Sequence, residues 1–465
     1  MARFLKKGLL VLAVFGIVWL AIIIWWQESR TLPTGVDIAL YLFALPLALL
    51  GTLWLGTKLV RAARAPKPEA EPGDTAPAEA VAAPQGPASL DIVAVAAQAW
   101  AGSDSASLLA AAIEQKRPEL DPGLKSGSGY PVFAARAPHL DDDELGAIAR
   151  ERGLDESVRA PGLLRALRLL VDTARPLVGE AHRHVTALDI PARDADWPTL
   201  ALMLLLPDDW SEAAREHARG EILGAAGVWP DERVSVTVHP VHDATAADSL
   251  LREIAALRAP TAPRPGADQP GANAVWRIVL AADGYVDATR VAQWDAESRL
   301  LTPTNPQGRV PGEAAAGLLI GPDSAQAQVR VAFSPFVRRA KPADARGALA
   351  EPALADSIAT LLEAETLETT AVGGILSDAD HRGSRPLEPV DLAARMFPHL
   401  DPATDCTALG VACGHTGAAS TLLTLALASE ACVQFAHPIL ALSLQDPALR
   451  CAALVTQPAA ASVTA

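Results

Sequence analysis

The chain has 465 residues, half of them hydrophobic and 5% aromatic, with 39 basic against 54 acidic side chains and a net charge of −15. That length allows one large domain or two to three ordinary ones, and a core of this size needs no disulfide staples. The acidic balance excludes a protein whose main task is gripping nucleic acid. Four cysteines without a CxxC pair exclude a disulfide framework, and the apolar content excludes wholesale disorder.

The N-terminal end is basic and apolar. Arg3, Lys6, Lys7, Arg30, Lys58, Arg61, Arg64 and Lys67 face only Glu28 and Asp37 within residues 1–67. Gly8 to Trp26 is a run of 19 residues without a charge, and Ile38 to Thr57 a second run of 20. At 1.5 Å per helical residue the first reaches roughly 28 Å, about the thickness of a bilayer's hydrocarbon layer. Trp25, Trp26, Tyr41 and Trp54 lie toward the ends, where amphipathic rings favour the headgroups. The pattern predicts a two-span transmembrane anchor over 1–61, with spans at 8–26 and 38–57. A cleaved signal peptide is the weaker reading, because the run is long and no small-x-small site follows it. The lysines and arginines flank the pair, so both ends face the cytoplasm at a bacterial inner membrane. The loop 27–37 is then periplasmic and the body 90–465 cytoplasmic.

Residues 62–89 carry six prolines among alanines and charges, and read as a linker. In polyproline-like form it spans roughly 80–90 Å. Beyond it, short apolar runs at 91–97, 234–239, 275–282, 314–320, 327–333, 372–377, 438–444 and 451–457 read as strands. Alanine- and leucine-rich stretches at 107–114, 163–178, 246–257, 353–364 and 418–431 read as helices. The alternation predicts an α/β body with buried sheets. A Pro/Gly-rich break at 258–274 divides it into halves, 90–257 and 275–465.

Three segments of the second half, taken together, resemble the thiolase fold and its β-ketoacyl synthase branch. WRIVLAADGYVD (276–287), followed by LLTPTNPQGRVPGEAAAGLLI (300–320), resembles a strand, a turn and the family's PGEGA hairpin. AVGGILSDADHRGS (371–384) stands where synthases carry a strand running into a histidine loop. GVACGHTGAASTLLTLALA (410–428) is similar to the family's GHxxGAAG motif and helix. More loosely, 90–120 is like the opening strand, loop and helix. The resemblance implies a layered α-β-α-β-α body and a homodimer.

The resemblance also implies a cysteine nucleophile at a strand-to-helix elbow and two assisting histidines. The elbow falls near 239–250, which contains no cysteine; all four cysteines lie between Cys406 and Cys451. Acyl-enzyme chemistry is then not expected. His415 and His381 match the two histidines by motif, as catalytic or vestigial residues. His415 precedes a helix, whose N-terminus disfavours the imidazolium, and a neutral ring there can donate to an oxyanion. The plain alternative is a histidine that merely caps that helix, since the family's lysine is missing from Ala408–Cys413 and the motif is one residue short. Asp378, Asp380 and His381 invite a metal, but a polar loop explains them as well and no distant ligand pair is specified. His182, His184, His239 and His242 read as surface or loop histidines. Asp141 to Glu144 reads as a helix start, and Glu313 as a residue fixing the hairpin through backbone amides. No cofactor or nucleotide motif is present, and no metal site is expected.

These readings lead to a membrane-anchored, non-catalytic ketosynthase-like scaffold or adaptor. The resemblance extends to proteins found beside contractile secretion machines, which suggests recruitment of an effector. The rival expectation is a residual thioester decarboxylase or acyl-transfer enzyme acting through His415 and His381.

Overall fold

A computed structural model describes Trp19 and residues 88–458, apart from 188–190, 192, 243, 259–273, 323–325, 346 and 348–350. The chain divides into two units, Met1–Val81 and Ala82–Ala465. Apart from Trp19, the predicted spans at 8–26 and 38–57 lie outside the described residues, as does nearly all of the linker.

The strands, in chain order, are β1 (Ser89–Ala99), β2 (Glu119–Lys125), β3 (Pro131–Ala134), β4 (Thr199–Pro207), β5 (Val234–Val241), β6 (Val275–Gly284) and β7 (Glu313–Ile320). They continue with β8 (Val329–Phe333), β9 (Val337–Arg338), β10 (Gly374–Ser377), β11 (Cys406–Ala408), β12 (Ile439–Ser443) and β13 (Leu449–Thr456). β2 and β3 form a separate hairpin. The others form one eleven-stranded sheet in the order β11-β10-β12-β13-β8-β1-β7-β6-β4-β5, with β9 beside β13.

That order hides a repeat. Numbered from β1, the strands β1, β4, β5, β6 and β7 run 3-2-4-5-1 across the sheet; numbered from β8, so do β8, β10, β11, β12 and β13. The directions repeat too. β5, β4 and β6 are mutually parallel, while β7 is antiparallel to β6 and β1. β11, β10 and β12 are parallel, while β13 is antiparallel to β12 and β8. β1 and β8 join the two repeats antiparallel, Ser89 opposite Ala332. The strand order thus repeats across 321–328, whereas the Pro/Gly-rich break at 258–274 falls inside the first repeat, between β5 and β6. Residues 275–320 pair with β4 and β1, and this pairing assigns them to the first repeat.

Helices fill equivalent places in each repeat. Thr245–Arg258 and Ser420–Phe435 share one apolar core with Leu205, Val279, Leu376 and Ala441 of the sheet. On the other side Pro161–Thr186 and Glu212–Ala225 cover β4 and β6, while Pro352–Ala364 and Leu387–Met396 cover β12 and β13. This is a mixed α/β layering, with helices on both faces of the sheet. Among the described residues one segment, Gly417–Phe435, is long and apolar enough to cross a membrane, and 78% of its most apolar window is buried inside the protein. A helix apolar on every side is a core element when other elements surround it.

Local signals match their elements. Asp141 caps the helix Asp142–Glu151 by accepting from the amides of Asp143 and Glu144, as the acid run suggests. Glu313 is wholly buried at the start of β7. It accepts from the Ala137 amide at 2.6 Å and from Arg165 Nε at 2.8 Å. Arg165 completes its fork on the carbonyls of Ala137 and Leu140 and on Asp142, which locks β7 to the helix Pro161–Thr186.

Candidate functional site

The parallel strands β4, β5 and β6 end at one cavity of about 430 Å³. The carboxyl ends of parallel strands are where open α/β sheets leave room for ligands. Asp208 and Asp209 follow β4, His242 and Ala244 follow β5, and Asp283 and Tyr285 close β6. Arg290 and Trp294 come from the helix Ala288–Ala296, Arg299 and Arg309 from the loop after it. His415 and Gly417 enter from the second repeat, with Gln445.

The elbow lies where the sequence places it. β5 ends at Val241 and the next helix begins at Thr245, within 239–250. Ala244 faces the cavity from this turn, and its carbonyl accepts from the Thr421 hydroxyl at 2.7 Å. His242, 88% exposed, reaches Asp208 at 2.8 Å. The matching turn of the second repeat is the His415 segment, ahead of Ser420–Phe435. The two turns therefore meet from opposite halves.

Cys413, Cys432 and Cys451 are buried and Cys406 is half-buried, all as free thiols. None lines this cavity. Burial pushes the Cys413 thiol up to about 12 and the Cys406 and Cys432 thiols up to about 11. Cys451, also held protonated by burial, borders a second void of only about 10 Å³, where Arg252 Nη2 donates to its sulfur at 2.8 Å.

His415 is fixed by its neighbours. Its amide donates to the Val310 carbonyl at 2.8 Å, and its ring lies 5.0 Å from Tyr285 and 5.5 Å from Trp294, centroid to centroid. Arg309 Nη1 lies 3.1 Å from Nε2. A guanidinium only donates, so Nε2 accepts and the ring proton belongs on Nδ1. That Nδ1 is buried with no hydrogen-bond partner. Burial, then the charges of Arg309, Arg382 and Arg299, hold the imidazole well below its usual pKa. The ring is neutral at pH 7, as expected, but through burial and three arginines. The adjoining one-turn segment Gly417–Ala419 and helix are not the main cause. Gly417 has φ +47°, and a Cβ there would meet Asp283 Oδ2 at 2.0 Å and the Tyr285 hydroxyl at 2.4 Å.

Asp283 sits beneath this turn. It accepts from the Tyr285 hydroxyl at 2.8 Å and from the amides of Gly284 at 2.8 Å and Ala418 at 3.0 Å. Burial raises it to about 6 despite these bonds.

His381 is not among the residues that line the cavity. Its Nε2 is buried without a partner. Asp380 beside it accepts from Arg382 Nε at 2.7 Å. Asp378 accepts from the Leu444 amide at 2.5 Å and the Ser420 hydroxyl at 3.2 Å. The acids of this loop are thus occupied by arginine and backbone. No group of three metal-ligating side chains occurs among the described residues. His182 and His184 pack on Trp197 and Trp276, each at 5.5 Å.

No sequence motif marks Arg309, Asp283, Tyr285 or Trp294 as a site residue. Arg309 stands within the phrase 300–320, beside Gly308, where a lone charge between a proline-rich loop and an apolar strand is the available signal.

No family model and no curated protein matches the chain. Solved structures do. The ishigamide ketosynthase/chain length factor matches with a TM-score of 0.52 and 12% identity, over 80% of this chain and 100% of that one. The ketosynthase of module 6 of the bacillaene synthase from Bacillus subtilis 168 matches with a TM-score of 0.51 and 11% identity, over 80% and 72%. The Streptomyces albus JA3453 oxazolomycin ketosynthase domain gives a TM-score of 0.50 and 13% identity, over 80% and 75%. With the doubled strand order and the two turns that meet at one cavity, these likenesses show that the body of the chain has the thiolase-like fold of the ketosynthases.

Proposed function

We propose that the chain is a membrane-tethered, ketosynthase-like body that binds without forming an acyl-enzyme, and that it serves as a homodimeric scaffold or adaptor. The observation that carries this reading is the elbow between β5 and the helix Thr245–Arg258. It offers no sulfur to the cavity, and the thiols elsewhere are held protonated by burial. The charge-free runs at 8–26 and 38–57 support the tether. The partner suggested by the family resemblance is a secretion-system effector.

One observation favours a second reading, residual thioester decarboxylation. His415 lines the cavity as a neutral imidazole whose Nε2 accepts from Arg309, and its buried, unpartnered Nδ1–H is the donor left for a developing enolate. His381, absent from the cavity lining, weakens the two-histidine version of it. Release of CO₂ from a malonyl thioester separates the readings. The scaffold reading expects release at the buffer rate for both wild type and His415→Ala. Release above that rate, abolished in His415→Ala, would replace it with the decarboxylase.

A further inference from the structure

We propose that the cavity binds an organic carboxylate, anchored by the guanidinium of Arg309. The inference deepens the reading of the chain as a thiol-free binding body and rests on it.

Among the described residues, the cavity wall carries one guanidinium without a carboxylate partner. Every carboxylate in the lining has its own partner. Asp208 meets His242, and Asp209 meets Arg290. Asp283 accepts the Tyr285 hydroxyl and two amides, and Asp446 caps the amides of Ala448 and Leu449 at 2.7 Å each. The other cations are matched as well: Arg290 by Asp209, and Arg299 by Glu297 at 3.0 Å. Arg382, whose charge also reaches Arg309, is paired with Asp380 at 2.7 Å. Arg309 is the exception. Its hydrogen bond goes to neutral His415, and no carboxylate lies in ion-pair distance among the described residues. Burial and its two arginine neighbours lower it to about 10, so it stays charged at neutral pH.

An uncompensated cation at a cavity wall is costly unless something answers it. Arg309 is also held in place rather than free to swing into solvent. Its amide donates to the Arg299 carbonyl at 2.6 Å, its carbonyl accepts from Leu301 at 2.9 Å, and the guanidinium stands 5.9 Å from the Trp294 ring centroid. One Nη1–H serves His415. The Nε–Nη2 edge carries no hydrogen bond, and that edge is the one that grips a carboxylate in two parallel bonds.

The charge count selects the ligand class. One free positive charge balances a monoanion. A phosphate dianion would need a second free cation and would face Asp208, Asp209, Asp283 and Asp446 across the same cavity. A volume of about 430 Å³ suits a small organic body, with Trp294 and Tyr285 supplying apolar wall. The ligand is therefore a monocarboxylate with an apolar or flat body.

Benzoate is the probe, titrated calorimetrically into the full-length protein in detergent, with inorganic phosphate as the comparison. Saturable benzoate binding with a Kd below about 1 mM is expected, an affinity of about 4 kcal/mol. Arg309→Gln, which keeps a hydrogen-bond donor and removes the charge, should weaken it at least tenfold. Arg309→Lys, which keeps the charge and loses the fork, should weaken it less. Arg219→Gln, an exposed residue paired with Glu216, serves as the matched loss of charge and should leave it unchanged. Thermal unfolding of each variant establishes that it is folded. No saturable binding to wild type, equal binding to Arg309→Gln, or phosphate bound more tightly than benzoate would overturn the proposal. Such a failure would leave the thiol-free reading intact, since CO₂ release tests that reading separately.

Discussion

Asp378→Asn should make the protein more stable at alkaline pH and leave it nearly unchanged in acid. Asp378 follows β10 and is 2% exposed, with its oxygens taken by the Leu444 amide and the Ser420 hydroxyl. Burial raises it to about 7; the Leu444 amide and Arg450 pull the other way, and Asp248, itself raised by burial to about 6, adds to the rise. An unfolded aspartate ionises near 3.9. Between about pH 4 and 7 the folded state therefore binds more protons than the unfolded one, and stability falls as pH rises through that window. A rise of about three pH units at 1.36 kcal/mol each sets a ceiling of roughly 4 kcal/mol, and sharing between two coupled acids brings it to about 2 kcal/mol. Asparagine keeps the acceptor for Leu444 and can donate to Ser420, so the neutral state is well mimicked. Urea unfolding of both proteins from about pH 3 to 8 should show a difference near zero at the acid end, growing to about 2 kcal/mol in favour of the variant. A difference that is flat with pH, or that favours wild type at pH 8, would refute the reasoning.

The Arg165 clamp gives a second expectation. Glu313→Gln removes the charge answering a buried guanidinium and should cost about 3–5 kcal/mol, read as a lowered unfolding midpoint. Thiol accessibility gives a third. In the native protein a disulfide reagent should label Cys406 slowly and leave Cys413, Cys432 and Cys451 untouched at pH 8, with all four reacting after denaturation. Fast native labelling of a second cysteine would contradict the burial assigned to it.

The sequence disclosed the α/β class because most strands are short β-branched runs. β4 escaped: TLALMLLLP is rich in leucine and has no β-branched residue after Thr199, so its run suits a buried helix as well as a strand. It is a strand because parallel neighbours cover both of its edges, which no local pattern states. The repeat boundary was hidden for the same reason. Pro and Gly mark where the chain turns, but strand pairing decides which half β6 and β7 join. His415 was legible through its GHTG motif. Arg309 was not, because its partner His415 lies 106 positions away, and the Asp283 bond that seats the same turn spans 135. Long-range polar contacts leave no periodic trace.

Intact-protein mass spectrometry after incubation with an acyl thioester tests most directly the proposal that this thiolase-like body carries no covalent acyl chemistry. We expect the mass of the full chain to remain that of the unmodified protein, with no thiol released from the substrate. A stoichiometric, hydroxylamine-sensitive acyl adduct that forms on the native protein and maps to one cysteine would contradict the account.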